Sequence, residues 1–146
     1  MGNIRVKKLK ATAKLPTYGT ALSAGADLYA CLEKSVTIDP GCSAFIPTGI
    51  ALEVPVGCAG LIYARSGMAC KRGLAPANKV GVIDSDYRGE IMVALHNHSD
   101  IPQTISHGER IAQMVFLPFL KGDFKVCDEL SETQRGEGGF GSTGTK

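Results

Sequence analysis

The sequence predicts an all-β protein, either a barrel or a sandwich, and three observations support this. Short apolar segments rich in Val, Ile, Leu and Phe recur along the chain, and Pro or Gly bounds most of them. Glycine accounts for 18 of 146 residues, which is above its usual share of about 7%. No segment shows a sustained helical period. Many short strands separated by frequent turns are typical of barrels and sandwiches.

The predicted strands run through most of the chain, and a single short helix interrupts them. The strand segments are SVTI, AFIPTGIALEVPVG, AGLIYA, KVGVI, EIMVAL and ERIAQMVFLPFL. The helix is predicted over SGMACKR, with Ser66 as its N-cap and Gly73 as the residue that ends it. Residues 1–134 form the predicted domain. Residues 135–146 form a predicted mobile arm, because the glycine-rich RGEGGFGSTGTK cannot bury enough surface to order itself.

The composition is that of one ordinary domain with a real core, since 44% of residues are hydrophobic and 21% are charged. A net charge of +2 lacks the basic field of nucleic-acid-binding proteins, so we expect no nucleic-acid partner. Five cysteines without a CxxC pair indicate reduced thiols. No apolar signal core or membrane-length stretch is found, so we expect a soluble cytoplasmic protein without a membrane partner, or a nuclear one if its source is eukaryotic or viral.

The segment GVIDSDYRGE, residues 81–90, joins two apolar runs through an unusual set of polar residues. If it is a β-hairpin, Asp84 and Asp86 are only turn residues that bond to nearby backbone amides. The alternative is that the acids, together with Tyr87 and Arg88, serve a ligand. The segment by itself leaves both interpretations open.

Three further places carry polar groups suited to a phosphate or a metal ion. Arg65, Ser66 and Gly67 at the predicted helix start offer a guanidinium, a hydroxyl and backbone amides to a phosphate, or are simply a capped helix. Asp27 in AGADLYA either caps a strand or holds the hydration shell of Mg²⁺. Gln113, inside the apolar GERIAQMVF, either points outward in the strand alternation or faces a ligand.

The histidines and the arm allow two interpretations each. His96 and His98 alternate on a predicted strand and could bind a metal ion, but no third ligand accompanies them at a recognisable spacing, so a structural role is favoured for them and for His107. In the arm, Phe140 and the following small residues suit a flat ring and an anion, or the terminus merely frays. No nucleophile triad and no paired-Cys metal site can be read from the spacing. Together the polar groups indicate a nucleotide phosphate site.

In this order, AGADLYA, ARSGMACKRGL, GVIDSDYRGE, GERIAQMVF and RGEGGFGSTG resemble the five motifs of the trimeric dUTP pyrophosphatases (dUTPases). The resemblance runs from Ala24 to Gly144. It implies a jelly-roll-like β-barrel that forms a homotrimer, with active sites between subunits and a C-terminal arm that closes over them. The implied reaction is Mg²⁺-dependent hydrolysis of dUTP to dUMP and pyrophosphate, which limits uracil in DNA and supplies dUMP for thymidylate synthesis.

The resemblance also implies roles for the residues around the nucleoside. Asp84 would orient and deprotonate the water that attacks the α-phosphorus. Tyr87 would pack on the deoxyribose and leave no room for a 2′-hydroxyl. The uracil edge would pair with the backbone of one strand, and two side chains would line the base. The strand residues are Gly81, Val82 and Ile83, and the two side chains belong to Asn78 and Met92.

For the triphosphate, the resemblance places Arg65, Ser66, Gly67 and Gln113 on the phosphate groups. Asp27 would hold Mg²⁺ through water, while the triphosphate binds the ion directly. In the arm Phe140 would stack on uracil, and four residues would contact the phosphate end. These four are Arg135, Gly141, Ser142 and Thr143. Asp86 and Arg88 are expected as hairpin and interface residues.

Two other kinds of function remain open at this point. The related dCTP deaminases share the barrel, but their hairpin resembles an Asp-Pro-Gly version rather than Asp-Ser-Asp-Tyr. This difference disfavours both a deaminase and a bifunctional deaminase–dUTPase. The other alternative is a non-catalytic module in which the bound nucleotide orders the arm and the arm sets affinity for a partner. The intact Asp84 favours the enzyme.

Overall fold

The computed structural model describes residues 3–139, which contain twelve β-strands and one α-helix. The elements are β1 (Val6–Lys8), β2 (Thr17–Tyr18), β3 (Ala26–Tyr29), β4 (Val36–Ile38), β5 (Ser43–Pro47), β6 (Ile50–Leu52), β7 (Cys58–Tyr63), α1 (Ser66–Arg72), β8 (Leu74–Pro76), β9 (Gly81–Ile83), β10 (Met92–Asn97), β11 (Gln103–Ile105) and β12 (Arg110–Pro118). The prediction of a mostly β protein with one short helix is confirmed.

The strands pair in an antiparallel manner and form four sheets. The largest has the order β2-β3-β12-β7-β9, and a three-stranded sheet has the order β5-β10-β8. Two further pairs are β1 with β6 and β4 with β11. Within residues 3–139 the pairing does not close into a single ring of strands. The long strand β12 lies between β3 and β7, so it connects parts of the chain that are far apart in sequence.

The sheets share one apolar core. Leu28 on β3, Ile46 on β5, Leu95 on β10 and Ile111 on β12 are all completely buried and belong to one continuous cluster. Burying an aliphatic side chain of this size stabilises a fold by about 1.5–3 kcal/mol. The core therefore fixes how the sheets lie against one another, and with them the residues at the strand ends.

The predicted end of the helix is confirmed, but its predicted N-cap is wrong. Gly73 has φ 66° and ψ 20°, the left-handed conformation, and its N–H donates to Ala69 O at 3.1 Å. At the other end Ser66 is already the first helical residue, and the cap position belongs to Arg65. Arg65 is extended and makes no side-chain cap bond, because its guanidinium is bound to Asp27 instead.

The prediction of a β-hairpin over residues 81–90 is also wrong. Strand β9 pairs with β7, whereas β10 pairs with β5 and β8. The two strands lie in different sheets, so the segment between them is a connection from one sheet to another. The apolar runs on both sides are strands as predicted, but each finds a partner elsewhere because both must contribute to the core.

After Pro118 the described chain continues to residue 139 without a helix or a strand. Leu120, Phe124, Val126 and Leu130 are almost fully exposed in this segment. The boundary between a domain of residues 1–134 and an arm of residues 135–146 stays a prediction. No helix in the described part of the chain has both the length and the apolar character needed to cross a membrane.

Candidate active site

A polar cluster lies where three neighbouring strands of the large sheet approach helix α1. Asp27 on β3 is the register partner of Gln113 on β12, which is also the partner of Tyr63 at the end of β7. Side chains at partner positions share one face of a sheet, so Asp27 and Gln113 come together. Arg65 follows Tyr63 by two residues, and its side chain reaches Asp27. The central position of β12 therefore assembles residues that are distant in sequence.

The carboxylate of Asp27 is held between two guanidinium groups. Its Oδ1 accepts a hydrogen bond from Arg65 Nε at 2.7 Å, and its Oδ2 accepts one from Arg110 Nη1 at 3.3 Å. Asp27 is only 8% exposed, and a buried charge is tolerated only when it is paired. Because two positive groups surround one negative group, the cluster keeps an excess of positive charge that favours an anion.

These side chains line a cavity of about 380 Å³, a volume within the range of small-molecule sites. Ser66 lines it as well, as do Gly19, Ser23, Ala24 and Gly25. The carboxamide of Gln113 is fixed by a bond from Nε2 to Ala64 O at 2.9 Å. The cavity thus offers hydroxyl, amide and guanidinium donors, which are the groups that bind phosphate oxygens.

The cavity fits a hydrated Mg²⁺ better than a directly coordinated one. Among residues 3–139, no three His, Cys, Asp or Glu side chains converge to form a metal site. Asp27 is the carboxylate that lines the cavity. A carboxylate has about four acceptor positions, so the two guanidinium contacts leave it able to accept from water. Mg²⁺ usually keeps several waters and takes substrate phosphates as ligands, which suits a single carboxylate.

A second cavity, of about 290 Å³, lies beside the segment that follows β9. It is lined by Phe45, Val82, Ile83, Asp84, Tyr87, Glu90 and Met92. Large apolar side chains are unusually exposed here, since Phe45 is 72% exposed and Val82 60%. An exposed apolar patch of this kind is typical of a binding surface. The structure therefore brings together five residues predicted from the sequence: Val82, Ile83, Asp84, Tyr87 and Met92.

Asn78 and Gly81 lie together, but they do not line this second cavity. A Cβ on Gly81 would be 3.2 Å from Ile62 Cβ and 3.5 Å from Asn78 Nδ2. Gly81 is buried and Asn78 is exposed. Their predicted contacts with a base stay a prediction.

The two cavities lie toward opposite ends of β7. In the pairing of β7 with β9, Ile83 faces Gly60, so Asp84 lies level with Ala59. Arg65 is six residues further along the chain than Ala59. At about 3.3 Å per strand residue, the Cα atoms of Ala59 and Arg65 are roughly 20 Å apart along the strand direction. The backbone of Asp84 is therefore separated from that of Arg65 by roughly this distance along the sheet of one chain.

Residues 11–144 match the dUTPase family. The chain belongs to this family. A deoxyuridine 5′-triphosphate nucleotidohydrolase of Desulfitobacterium hafniense (strain DSM 10664 / DCB-2) is 56% identical over 140 residues, which are 95% of this chain and 92% of the relative. The enzyme of the same name from Syntrophotalea carbinolica is 47% identical over 141 residues, covering 97% and 96% of the two chains.

Solved structures of dUTPases share the fold as well. The Staphylococcus bacteriophage 80alpha dUTPase with dUPNHPP superposes with a TM-score of 0.90 at 29% identity, covering 99% of both chains. A mutant dUTPase from phage phi11 of S. aureus superposes with a TM-score of 0.77 at 25% identity, covering 88% of this chain and 98% of that one. That second structure describes the coordination of a structural Mg(II) ion.

Three residues that line the two cavities were not predicted from the sequence: Arg110, Phe45 and Glu90. Arg110 is three residues from Gln113, so regular alternation would place it on the opposite face of β12. A register shift between Arg110 and Ala112 changes this and allows Arg110 to reach Asp27. An irregularity of this kind leaves no signal in the spacing of the residues.

The predicted arm residues lie at or beyond the end of the described chain. Arg135 is exposed, and its Nε donates to Gly138 O at 2.8 Å. The remaining four predicted arm residues lie outside the described residues. They are Phe140, Gly141, Ser142 and Thr143.

Proposed function

We propose that this member of the dUTPase family hydrolyses dUTP to dUMP and pyrophosphate, as a homotrimer whose subunits have the family's jelly-roll-like β-barrel. The observation that carries the proposal is the position of Asp84, which is exposed at the rim of an apolar cavity that also holds Val82 and Tyr87. A carboxylate placed beside a base-sized apolar surface is suited to activating water next to a bound nucleotide.

Asp84 is the proposed catalytic residue. Its carboxylate orients a water molecule and takes up its proton as the oxygen attacks the α-phosphorus in line with the leaving pyrophosphate. Tyr87 packs against the deoxyribose and leaves no room for a 2′-hydroxyl. The backbone of Gly81, Val82 and Ile83 reads the uracil edge, with two side chains beside the base. These are Asn78 and Met92.

The phosphate groups lie in the other cavity, on the Arg65 guanidinium, the Ser66 hydroxyl, the Gly67 amide and the Gln113 carboxamide. Donors that are already fixed before the reaction stabilise the developing charge without having to reorganise. Asp27 would hold Mg²⁺ through water, and the ion, bound mainly by the triphosphate, would offset the charge of the phosphate oxygens. Arg110 holds Asp27 from the second side.

The separation of the two cavities supports an assembly in which subunits share each site. Because Asp84 and Arg65 of one chain lie roughly 20 Å apart along β7, a complete site needs the Asp84 side of one subunit and the Arg65 side of another. The arm then comes from the third subunit, where Phe140 stacks on uracil. The arm residues proposed for the phosphate end are Arg135, Gly141, Ser142 and Thr143. Closing the arm excludes water.

Subunit mixing tests this assembly. D84N and R65A are each expected to be inactive as pure proteins, because each lacks one half of every site. When the two are denatured together and refolded as a mixture, some sites combine an intact Asp84 with an intact Arg65, so activity returns. Mixing that restores no activity, although each variant forms trimers by light scattering, would show that both residues act within one chain.

The reaction itself is tested by measuring pyrophosphate release from dUTP, dCTP, dTTP and UTP, with Mg²⁺ and then with a chelator. We expect release from dUTP alone, and loss of release with the chelator. D84N should lower kcat by about 10²–10⁴-fold and keep its affinity for dUTP. Ammonia released from dCTP would instead show a deaminase. Binding of dUTP without turnover would show a nucleotide-gated binding module.

A further inference from the structure

The segment of residues 84–90 carries two of the proposed functional side chains, Asp84 and Tyr87, yet no strand ladder fixes it. The strands on its two sides belong to different sheets. The backbone hydrogen bond within the segment runs from Tyr87 N to Asp84 O at 3.2 Å. Its conformation therefore depends on hydrogen bonds from side chains to its carbonyl groups.

Arg88 provides two of these hydrogen bonds. Its Nη1 donates to Ser85 O at 2.7 Å and to Tyr87 O at 2.9 Å. Hydrogen bonds from a charged donor are shorter and stronger than neutral ones. One nitrogen atom thus ties together the carbonyl groups of Ser85, which follows Asp84, and of Tyr87 itself.

Arg88 is in turn oriented from outside the segment. Glu53, the residue after β6, lies with its Oε1 3.7 Å from Arg88 Nε, and its Oε2 accepts a hydrogen bond from Arg5 Nε at 2.7 Å. Glu53 therefore stands between two guanidinium groups at the β1–β6 pair. The 3.7 Å ion pair with Glu53 links Arg88 to the β1–β6 pair.

The Tyr87 ring is fixed at its far end by a separate contact. Its hydroxyl donates to Glu90 O at 3.0 Å. A Cβ on Gly89 would lie 2.5 Å from Tyr87 Cζ and 2.9 Å from Cε2, so the ring lies directly against the Gly89 backbone. Glu90 is anchored as well, because its Oε1 accepts from Gly49 N at 2.7 Å. Arg88 thus controls the backbone end of Tyr87, and Glu90 controls the hydroxyl end.

We infer that Arg88 is a positioning residue that sets sugar discrimination: by holding the carbonyls of Ser85 and Tyr87, it places the Tyr87 ring where a 2′-hydroxyl has no room. The inference rests on the proposed function. Steric rejection requires a ring that cannot move away from the sugar, so a looser backbone admits the ribonucleotide. The positive charge of Arg88 cannot by itself select the sugar, because dUTP and UTP carry the same triphosphate.

The test compares the unsubstituted protein with R88A, R88K and the control K34A. Lys34 is an exposed residue before β4 with no assigned role. For each protein, kcat and KM are measured with dUTP and with UTP on one preparation, and the affinities for non-hydrolysable imido analogues of both nucleotides are measured by calorimetry.

We expect R88A to lower kcat/KM for dUTP about tenfold, equivalent to 1.36 kcal/mol of barrier. The ratio of kcat/KM for dUTP to that for UTP should fall at least about fivefold. R88K should recover at least half of this change on a logarithmic scale, because a single nitrogen makes both hydrogen bonds in the native protein. K34A should match the unsubstituted protein in both quantities.

The ratio is a decisive readout because it does not depend on the fraction of protein that is correctly folded. Equal losses for dUTP and UTP would overturn the inference, since Arg88 would then act on the shared triphosphate. A ratio that stays unchanged because neither kcat/KM value falls in R88A would overturn it as well. If the unsubstituted protein binds both analogues but turns over neither nucleotide, the proposed reaction fails, and the ratio of the two affinities then tests Arg88 in the same way.

Discussion

Replacing Gly25 by alanine should disturb the phosphate cavity through one neighbour, Gln113. A Cβ on Gly25 would overlap Gln113 Oε1 and lie 3.0 Å from Cδ and 3.2 Å from Cβ. Gly25 does not have a positive φ, so the substitution brings no backbone strain. The Gln113 carboxamide must therefore move, and it loses its hydrogen bond to Ala64 O at 2.9 Å.

The expected cost of G25A combines three contributions. A lost hydrogen bond destabilises by about 1 kcal/mol, and inserting a methyl group into a packed site costs about 1–3 kcal/mol. Replacing glycine also restricts the unfolded chain, which stabilises the folded protein by about 0.4–1 kcal/mol. We expect the free energy of unfolding to fall by about 2 kcal/mol. Because the carboxamide leaves the cavity, KM for dUTP should rise to nearly the value of Q113A.

A double-mutant cycle isolates the contact between Gly25 and Gln113. Urea denaturation is followed by circular dichroism for the wild type, G25A, Q113A and G25A/Q113A at one protein concentration, because assembly makes stability concentration-dependent. In the Q113A background, G25A should cost less than about 1 kcal/mol, which gives a coupling energy of at least about 1 kcal/mol. G122A serves as a control, since the nearest atoms that a Cβ there would meet among the described residues belong to the Phe124 ring, at 3.7 Å or more. Equal costs of G25A in both backgrounds would refute the reasoning.

Three further predictions concern the frame and the surface around the site. Arg72 in α1 is bonded to the Glu109 carboxylate, so R72A should lower the free energy of unfolding by about 2 kcal/mol, and a loss under about 0.5 kcal/mol in urea denaturation would contradict this. Asn97 is fully buried and makes four side-chain hydrogen bonds, so N97A should cost about 3–4 kcal/mol in the same assay, and a loss under about 1 kcal/mol would contradict this. Desolvation, and then the charge of His96, lower the pKa of His98 from 6.5. The contribution of neutral His98 to the free energy of unfolding is therefore present above pH 6.5 and lost as the pH falls through the lowered pKa. NMR titration of the ring protons should show the pKa rising toward 6.5 in H96Q, and no change would contradict the role of that charge.

The candidate site residues were predicted from the sequence, but their arrangement in the fold was not. Asp84 and Tyr87 were predicted because GVIDSDYRGE resembles a motif of the dUTPases, and the structure places both at one cavity. The hairpin assigned to that segment was wrong, because its flanking strands find partners in two different sheets. Strand pairing depends on contacts between distant residues, and a local pattern of apolar and turn residues does not specify them.

Other differences have a similar cause. Ser66 has the residue type of an N-cap, but Arg65 takes the cap position because Asp27 on a distant strand binds its side chain. Regular strand alternation would place Arg110 on the face opposite Gln113, and a shift in register brings it to Asp27. In both cases contacts with a strand that is distant in sequence decide the local geometry.

The sequence by itself determined the secondary-structure class, the position of the helix end at Gly73 and the chemical groups available to a nucleotide. These follow from residue type and short-range spacing, because apolar periodicity, glycine conformation and side-chain chemistry are local properties. The tertiary structure alone decided which groups share a cavity. It placed Asp27, Arg65 and Gln113 on one side and Asp84 on the other, because β12 pairs with both β3 and β7 while β9 pairs with β7 at its far end. A catalytic site made of such groups depends on distances across the sheets, which the packing of the core determines and the spacing along the chain does not.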